Sequence, residues 1–218
     1  MKNKFIISAV FALAFVALIV SLCTYDVAPI GPEGTEIGFS SLNGAVHGSL
    51  GTSDAWYKIS ELLGYLAIAA AGAFALIGVV QVFKRKSLLK VDKKLMALGG
   101  LYAAMAVMYV LFEMVVVNYR PVIEAGAESV EASFPSSHTM LVCVIMGGAF
   151  IILGDYVKNK GLRIALQGIA VAVALLTVIG RLLSGVHWLT DIIGGVFISL
   201  TLVILYAAFC EMIDSKKE

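Results

Sequence analysis

An all-α, polytopic membrane protein with six transmembrane helices is the fold class this sequence predicts, and three observations predict it. Hydrophobic residues make up 60% of the 218 and charged residues only 14%, against about 25% charged in soluble domains, and the mean hydropathy is +0.95. The apolar residues gather into six runs, each close to the roughly 20 residues a helix needs to cross a bilayer. Basic residues are concentrated in every second connection, as expected of a chain whose loops alternate between two sides.

The elements follow in order as one transmembrane domain over residues 1–218. The first run, 5–23, follows Lys2 and Lys4. It is read as a membrane helix rather than a cleaved signal peptide, because it is long and no small-x-small cleavage site follows it. Bulky Leu22 before Cys23 argues against a lipoprotein. Residues 24–55 carry Pro29, Pro32, scattered glycines and the acids Asp26, Glu33 and Glu36, which marks a loop with one short helix near 41–50. Ser53 or Asp54 is placed to cap the second span, 56–83, with Trp56 and Tyr57 at interface depth.

A basic loop with Lys84, Arg85, Lys86, Lys90, Lys93 and Lys94 leads to the third span, 95–117. The polar loop 118–137 precedes the fourth, 138–153. Lys158, Lys160 and Arg163 introduce the fifth, 163–180, and the sixth covers 189–210 before a polar tail.

All Lys and Arg residues except Lys58, Arg120 and Arg181 fall in the N-terminus, the 84–94 loop, the 158–163 loop and the tail. The positive-inside rule therefore puts both termini in the cytoplasm and loops 24–58, 118–137 and 181–188 outside. The 84–94 cluster is read as a topology anchor facing membrane lipids, with no nucleic-acid partner implied. Glu124, Glu128 and Glu131 are read as a solvated acidic loop rather than metal ligands. Cys23, Cys143 and Cys210 show no CxxC spacing, so neither a disulfide framework nor a zinc site is expected.

Polar chemistry is concentrated where the chain is otherwise apolar. Gly180 to Asp191 holds Arg181, Ser184, His187 and Asp191 between the last two spans, and ionisable groups at membrane depth are costly enough to suggest a site. His187 and Asp191 are four apart, which on a helix lets the carboxylate orient the imidazole. The same face would receive Glu113, Arg120 and Pro121, and Pro135, Ser136, Ser137 and His138. Singly each has a structural reading: the arginines as interfacial anchors, His138 as a helix cap, His187 and Asp191 as a polar stitch between helices.

Together they compose a pocket for a phosphate ester. Two guanidiniums bind a phosphoryl group with bidentate charge-assisted bonds. A helix opening at Ser136 and Ser137 offers backbone N–H groups at the positive end of its dipole. A neutral imidazole held by a carboxylate is a competent nucleophile, and a second histidine a suitable general acid. This set supports phosphoryl transfer with no cofactor and no metal.

The motifs resemble those of the membrane-bound type 2 phosphatidic acid phosphatases, relatives of the vanadium haloperoxidases. That family reads Lys-x6-Arg-Pro, Pro-Ser-Gly-His and Ser-Arg-x5-His-x3-Asp; the matching stretches here are Glu113 to Pro121, Pro135 to His138 and Gly180 to Asp191. The resemblance covers roughly 95–210 and implies a lipid phosphatase with its site at the extracytoplasmic face. It implies that His187 attacks phosphorus and becomes a phosphohistidine, that Asp191 orients it, and that His138 protonates the leaving oxygen and then activates water. Arg120, Arg181, Ser136 and Ser137 would bind the phosphoryl oxygens.

Three positions depart from the family pattern: Ser137 for Gly, Gly180 for Ser, and Glu113 for Lys. The last exchanges a cation for a carboxylate and points to reduced or redirected activity. Phosphatidic acid, phosphatidylglycerol phosphate and undecaprenyl diphosphate are all chemically suitable substrates. A lipid phosphotransferase using the same residues, and a non-catalytic lipid-binding or transport protein, are the alternatives. The sequence assigns no oligomeric state.

Overall fold

The computed structural model describes residues 2–123 and 126–216. It is all-helical: α1 Lys2–Thr24, α2 Ser40–Leu50, α3 Asp54–Arg85, α4 Lys93–Met114, α5 Ser137–Tyr156, α6 Lys160–Ser184 and α7 Leu189–Ser215, with single 3₁₀ turns at Pro32–Gly34 and Leu88–Lys90. All but α2 are long and apolar enough to cross a membrane. Among the described residues the only extended pairings are two isolated bridges, Ala28 with Ile37 and Tyr119 with Ala132.

The bundle is built around α5, which packs against α3, α4, α6 and α7, while α1 lies on the outer face of α7. Large side chains such as Leu13, Leu76 and Phe83 stay more than half exposed. In water such a surface would be a liability; against acyl chains it is the expected exterior, since lipid tails are as apolar as the side chains. Burial is reserved for the seams, where Phe15 stacks on Phe134 and both meet Phe112 edge-to-face.

Helix ends decide where the site forms. α3 starts at Ser53, whose hydroxyl accepts from Trp56 N at 3.5 Å, and Ser53 N donates to Ser184 O at 3.2 Å, joining the start of α3 to the end of α6. α4 stops at Met114, earlier than the apolar run does, because the β-branched stretch Val115 to Val117 turns into extended chain. α6 instead continues to Ser184, so Arg181 sits on its last turn rather than in a loop.

At the opposite end of the bundle Asp92 accepts from Gln81 Nε2 at 2.7 Å, Arg85 Nη1 at 2.8 Å and Tyr156 OH at 2.9 Å. This carboxylate ties α3, the 86–92 link and α5 together.

Candidate active site

The link between α6 and α7 is four residues long, and Gly185 makes it possible. Its φ is +72°, a left-handed conformation that glycine adopts without penalty, and a side chain there would collide with the Gly51 carbonyl. The turn brings His187 back under the bundle end, where it is 2% exposed. His187 therefore lies before α7 rather than on it, so the four-residue helical spacing to Asp191 does not apply. The pair forms by a different route. Asp191 is in the first turn of α7, its Oδ2 accepts Trp188 N at 2.9 Å, and this N-terminal capping arrangement holds the carboxylate 3.7 Å from His187 Nδ1.

Burial, followed by the positive charges of Arg181 and Arg120 and the neighbouring His138, holds the His187 imidazole well below its ordinary pKa. It is a neutral ring and hence a potential nucleophile. Asn118 and Ser133 lie beside the Asp191 carboxyl.

Arg120 reaches the site from an extended segment. On a continuous helix Glu113 and Arg120, seven residues apart, would share nearly the same face, but α4 has already ended; Arg120 N instead donates to Glu131 O at 3.0 Å within the short Tyr119–Ala132 pairing. Glu131 Oε2 is 3.2 Å from Arg120 Nε, so this loop acid is an arginine partner and not merely solvated. Trp188 Nε1 donates to Tyr119 O at 2.7 Å and locks the segment to the His187 link. Glu124 lies outside the described residues.

Glu113, Arg120, Ser137 and His187 line one narrow cleft, with Tyr109 and Phe112 on the α4 side. Its space of about 10 Å³ is close to that of one water. Ser136 takes a different part from the expected one. It caps α5 through its hydroxyl, accepting from Thr139 N at 3.4 Å, and its own N–H is spent on Asp191 O at 3.0 Å. Ser137, the first residue of α5, is the one presented to the cleft; its φ is negative, so nothing at this position requires the family's glycine. α7 approaches this turn closely at Gly195, where a Cβ would sit 3.0 Å from Ser136 O.

His138 and Arg181 meet on the α3 side, at a residue the motifs do not contain. Glu61 Oε1 is 3.0 Å from His138 Nε2 and 3.8 Å from Arg181 Nη1, while Tyr57 places its ring 5.2 Å from the Arg181 guanidinium carbon. The available signal was faint: Glu61 is the one acid between Asp54 and the basic end of α3.

The 24–51 segment also does more than connect spans. Asn43, fully buried on α2, donates to Gly38 O at 2.8 Å and to Thr190 Oγ1 at 2.9 Å and accepts from Thr190 N at 3.3 Å. His47 Nε2 bonds Gly185 O at 3.0 Å and its ring packs on Trp188. Thus α2 braces both ends of the His187 link. Among the described residues no group of three His, Cys, Asp or Glu side chains converges as metal ligands would.

Comparison with known proteins adds family context. The sequence profile described as the PAP2 superfamily matches residues 103–213. Among solved structures, "Crystal structure of the first transmembrane PAP2 type phosphatidylglycerolphosphate phosphatase from Bacillus subtilis" superposes with a TM-score of 0.69 at 18% identity. The match covers 94% of this chain and 96% of that one, and at that identity it establishes the fold alone. No curated protein matches.

Proposed function

Because this chain belongs to the PAP2 superfamily and spans the membrane six times, we propose that it is a membrane lipid phosphatase working through a phosphohistidine. The observation that carries the reading is the meeting at one bundle end of a buried neutral imidazole, a second imidazole and two guanidiniums drawn from three separate segments. Asp191 lies on the Nδ1 side of His187, which leaves Nε2 as the attacking nitrogen.

The proposed reaction runs in two steps. His187 Nε2 donates its electron pair to phosphorus; the bond from phosphorus to the lipid oxygen breaks, and that oxygen takes the proton of His138. Water then attacks the phosphohistidine, giving its proton to His138, as the P–N bond breaks and phosphate departs. Arg120, Arg181 and the Ser137 end of α5 bind the phosphoryl oxygens, where charge develops in the transition state. Ser136 supports them by capping α5. The Asp191 carboxylate compensates the imidazolium-like charge on His187. Its 3.7 Å separation is consistent with a resting state, since such contacts commonly shorten only with substrate bound. The route requires no metal.

The substrate class is a lipid phosphate or diphosphate whose headgroup reaches the extracytoplasmic face, the side that the basic-residue pattern assigns to this end of the bundle. The structural neighbour's named substrate, phosphatidylglycerolphosphate, belongs to that class, as do phosphatidic acid and undecaprenyl diphosphate. Glu113 narrows the choice. A carboxylate in the cleft repels a phosphate dianion and accepts hydrogen bonds, so it favours a headgroup that offers a hydroxyl beside its phosphate.

A panel of lipid phosphates supplied to the detergent-purified protein, with and without chelator, tests this. Phosphate release that survives chelation, is blocked by vanadate and vanishes in His187→Ala is the expected result. Equal inactivity of wild type and His187→Ala on the whole panel would remove the enzyme reading. Transfer of the phosphoryl group to an added acceptor lipid would make the protein a phosphotransferase.

A further inference from the structure

Glu61 stands outside the three motifs and outside the region matched by the family profile, yet it touches two of the motifs at once. It lies on α3, two turns after the Ser53 cap, with about three-quarters of its side chain buried. A carboxylate in that position on a membrane helix is costly and needs partners. One of its oxygens has them: Oε1 is 3.0 Å from Nε2 of His138, on the first turn of α5, and 3.8 Å from Nη1 of Arg181, on the last turn of α6.

The neighbours of Glu61 on α3 shape the same contact. Residues 57, 61 and 64 share one face of a helix. Tyr57 lies against the Arg181 guanidinium, and Gly64 has no side chain where the His138 ring packs: a Cβ there would be 3.1 Å from His138 Nε2. An aromatic, a carboxylate and a gap thus follow in register along α3 and receive a cation and an imidazole. Among the charged and titratable groups near His138 are Glu61 from α3, which contacts it, Arg181 from α6, which shares the same Glu61 oxygen, and His187 from the link before α7.

We propose that Glu61 is a positioning residue, whose carboxylate holds His138 and Arg181 in fixed relation so that the proton donor and a phosphate-binding guanidinium act on the same ester. Each imidazole then has its own carboxylate, Asp191 for His187 and Glu61 for His138. The two arise differently, since Asp191 comes from the chain segment of its partner and Glu61 from a helix elsewhere in the sequence. The inference rests on the phosphatase reading above for its catalytic consequence, but the contact itself does not.

Two measurements separate these. Glu61→Leu keeps the volume and suits a membrane helix, so the melting temperature should hold while kcat for lipid-phosphate release falls about 100-fold, the loss expected when a reacting group shifts by about 1 Å. Glu61→Gln retains an oxygen that can accept from His138 Nε2 and should stay within about 10-fold of wild type. The chain has three histidines, so ¹⁵N-histidine spectra can follow His138 without substrate, assigned by loss of its signal in His138→Gln. Glu61→Leu should move that signal and Glu61→Gln should move it less.

A wild-type kcat in Glu61→Leu, a Gln variant as inactive as the Leu variant, or an unmoved His138 signal would each overturn the proposal. If wild type releases no phosphate but the His138 signal responds to Glu61→Leu, the positioning contact is supported and the phosphatase reading is the one that fails.

Discussion

Nδ1 of His187 lies 3.7 Å from Oδ2 of Asp191, and that same oxygen accepts the Trp188 N–H at 2.9 Å. One carboxylate therefore both starts α7 and faces the imidazole. Asparagine at 191 can keep the first role, because its amide oxygen still accepts from Trp188 N, but it loses the charge. Asp191→Asn is expected to lower kcat by about 10²- to 10⁴-fold with little change in melting temperature. Phosphate-release kinetics beside a thermal melt would check both halves.

His187 lies in the α6–α7 link, and burial with Arg181, Arg120 and His138 around it holds the ring well below the ordinary histidine value of 6.5. As the proposed nucleophile it must be neutral, so the acid limb of kcat/KM is expected to lie below pH 6.5. Stability carries the same sign. Below about pH 6.5 the unfolded chain protonates this histidine and the folded chain does not, so the contribution is complete above that pH and is lost as pH falls. The slope should reach about 1.4 kcal/mol per pH unit for one such group. His187→Gln should flatten it, as unfolding measured between pH 7.5 and pH 5 would reveal.

Glu113 and Arg120 line the same cleft as His187. Glu113→Lys reverses a charge in the proposed phosphoryl cleft and is expected to lower KM for a phosphate monoester, and to tighten vanadate inhibition, by about 5-fold or more. That is the factor given by roughly 1 kcal/mol of Coulomb energy between near neighbours in a wet cleft. Loss of activity without tighter vanadate binding would assign the carboxylate a role of its own in holding the headgroup.

Asn43 is fully buried and bonded on both sides of its amide, to Gly38 and to Thr190. Asn43→Ala leaves those partners unsatisfied, at a cost of about 1–3 kcal/mol. The melting temperature should fall, and kcat should fall with it because α2 no longer braces the link that carries His187. Gly185→Ala should be worse, since it strains the backbone and meets the Gly51 carbonyl.

Much of the candidate site was legible from the chain alone because its proposed residues fall in short spacings. Arg181, His187 and Asp191 occur within one stretch, and Ser137 and His138 open a helix that hydropathy alone locates. Where local geometry was extrapolated, it failed at helix ends. Glu113 and Arg120 do not share a helix, nor do His187 and Asp191, because α4 stops at Met114 and α7 begins at Leu189. Hydropathy reports which residues sit in lipid; it does not report where backbone hydrogen bonding gives way to a turn.

The sequence by itself determined the six spans and put forward two imidazoles and two guanidiniums as the candidate site. It could do so because burial in lipid demands long apolar runs and because each motif is contiguous. Only the tertiary structure decided that Glu61 meets His138 and Arg181, that Ser136 is consumed as a cap, and that α2 grips the His187 link through a contact 147 residues apart. Such pairings depend on how helices pack side by side, a relation that periodicity along one helix does not encode.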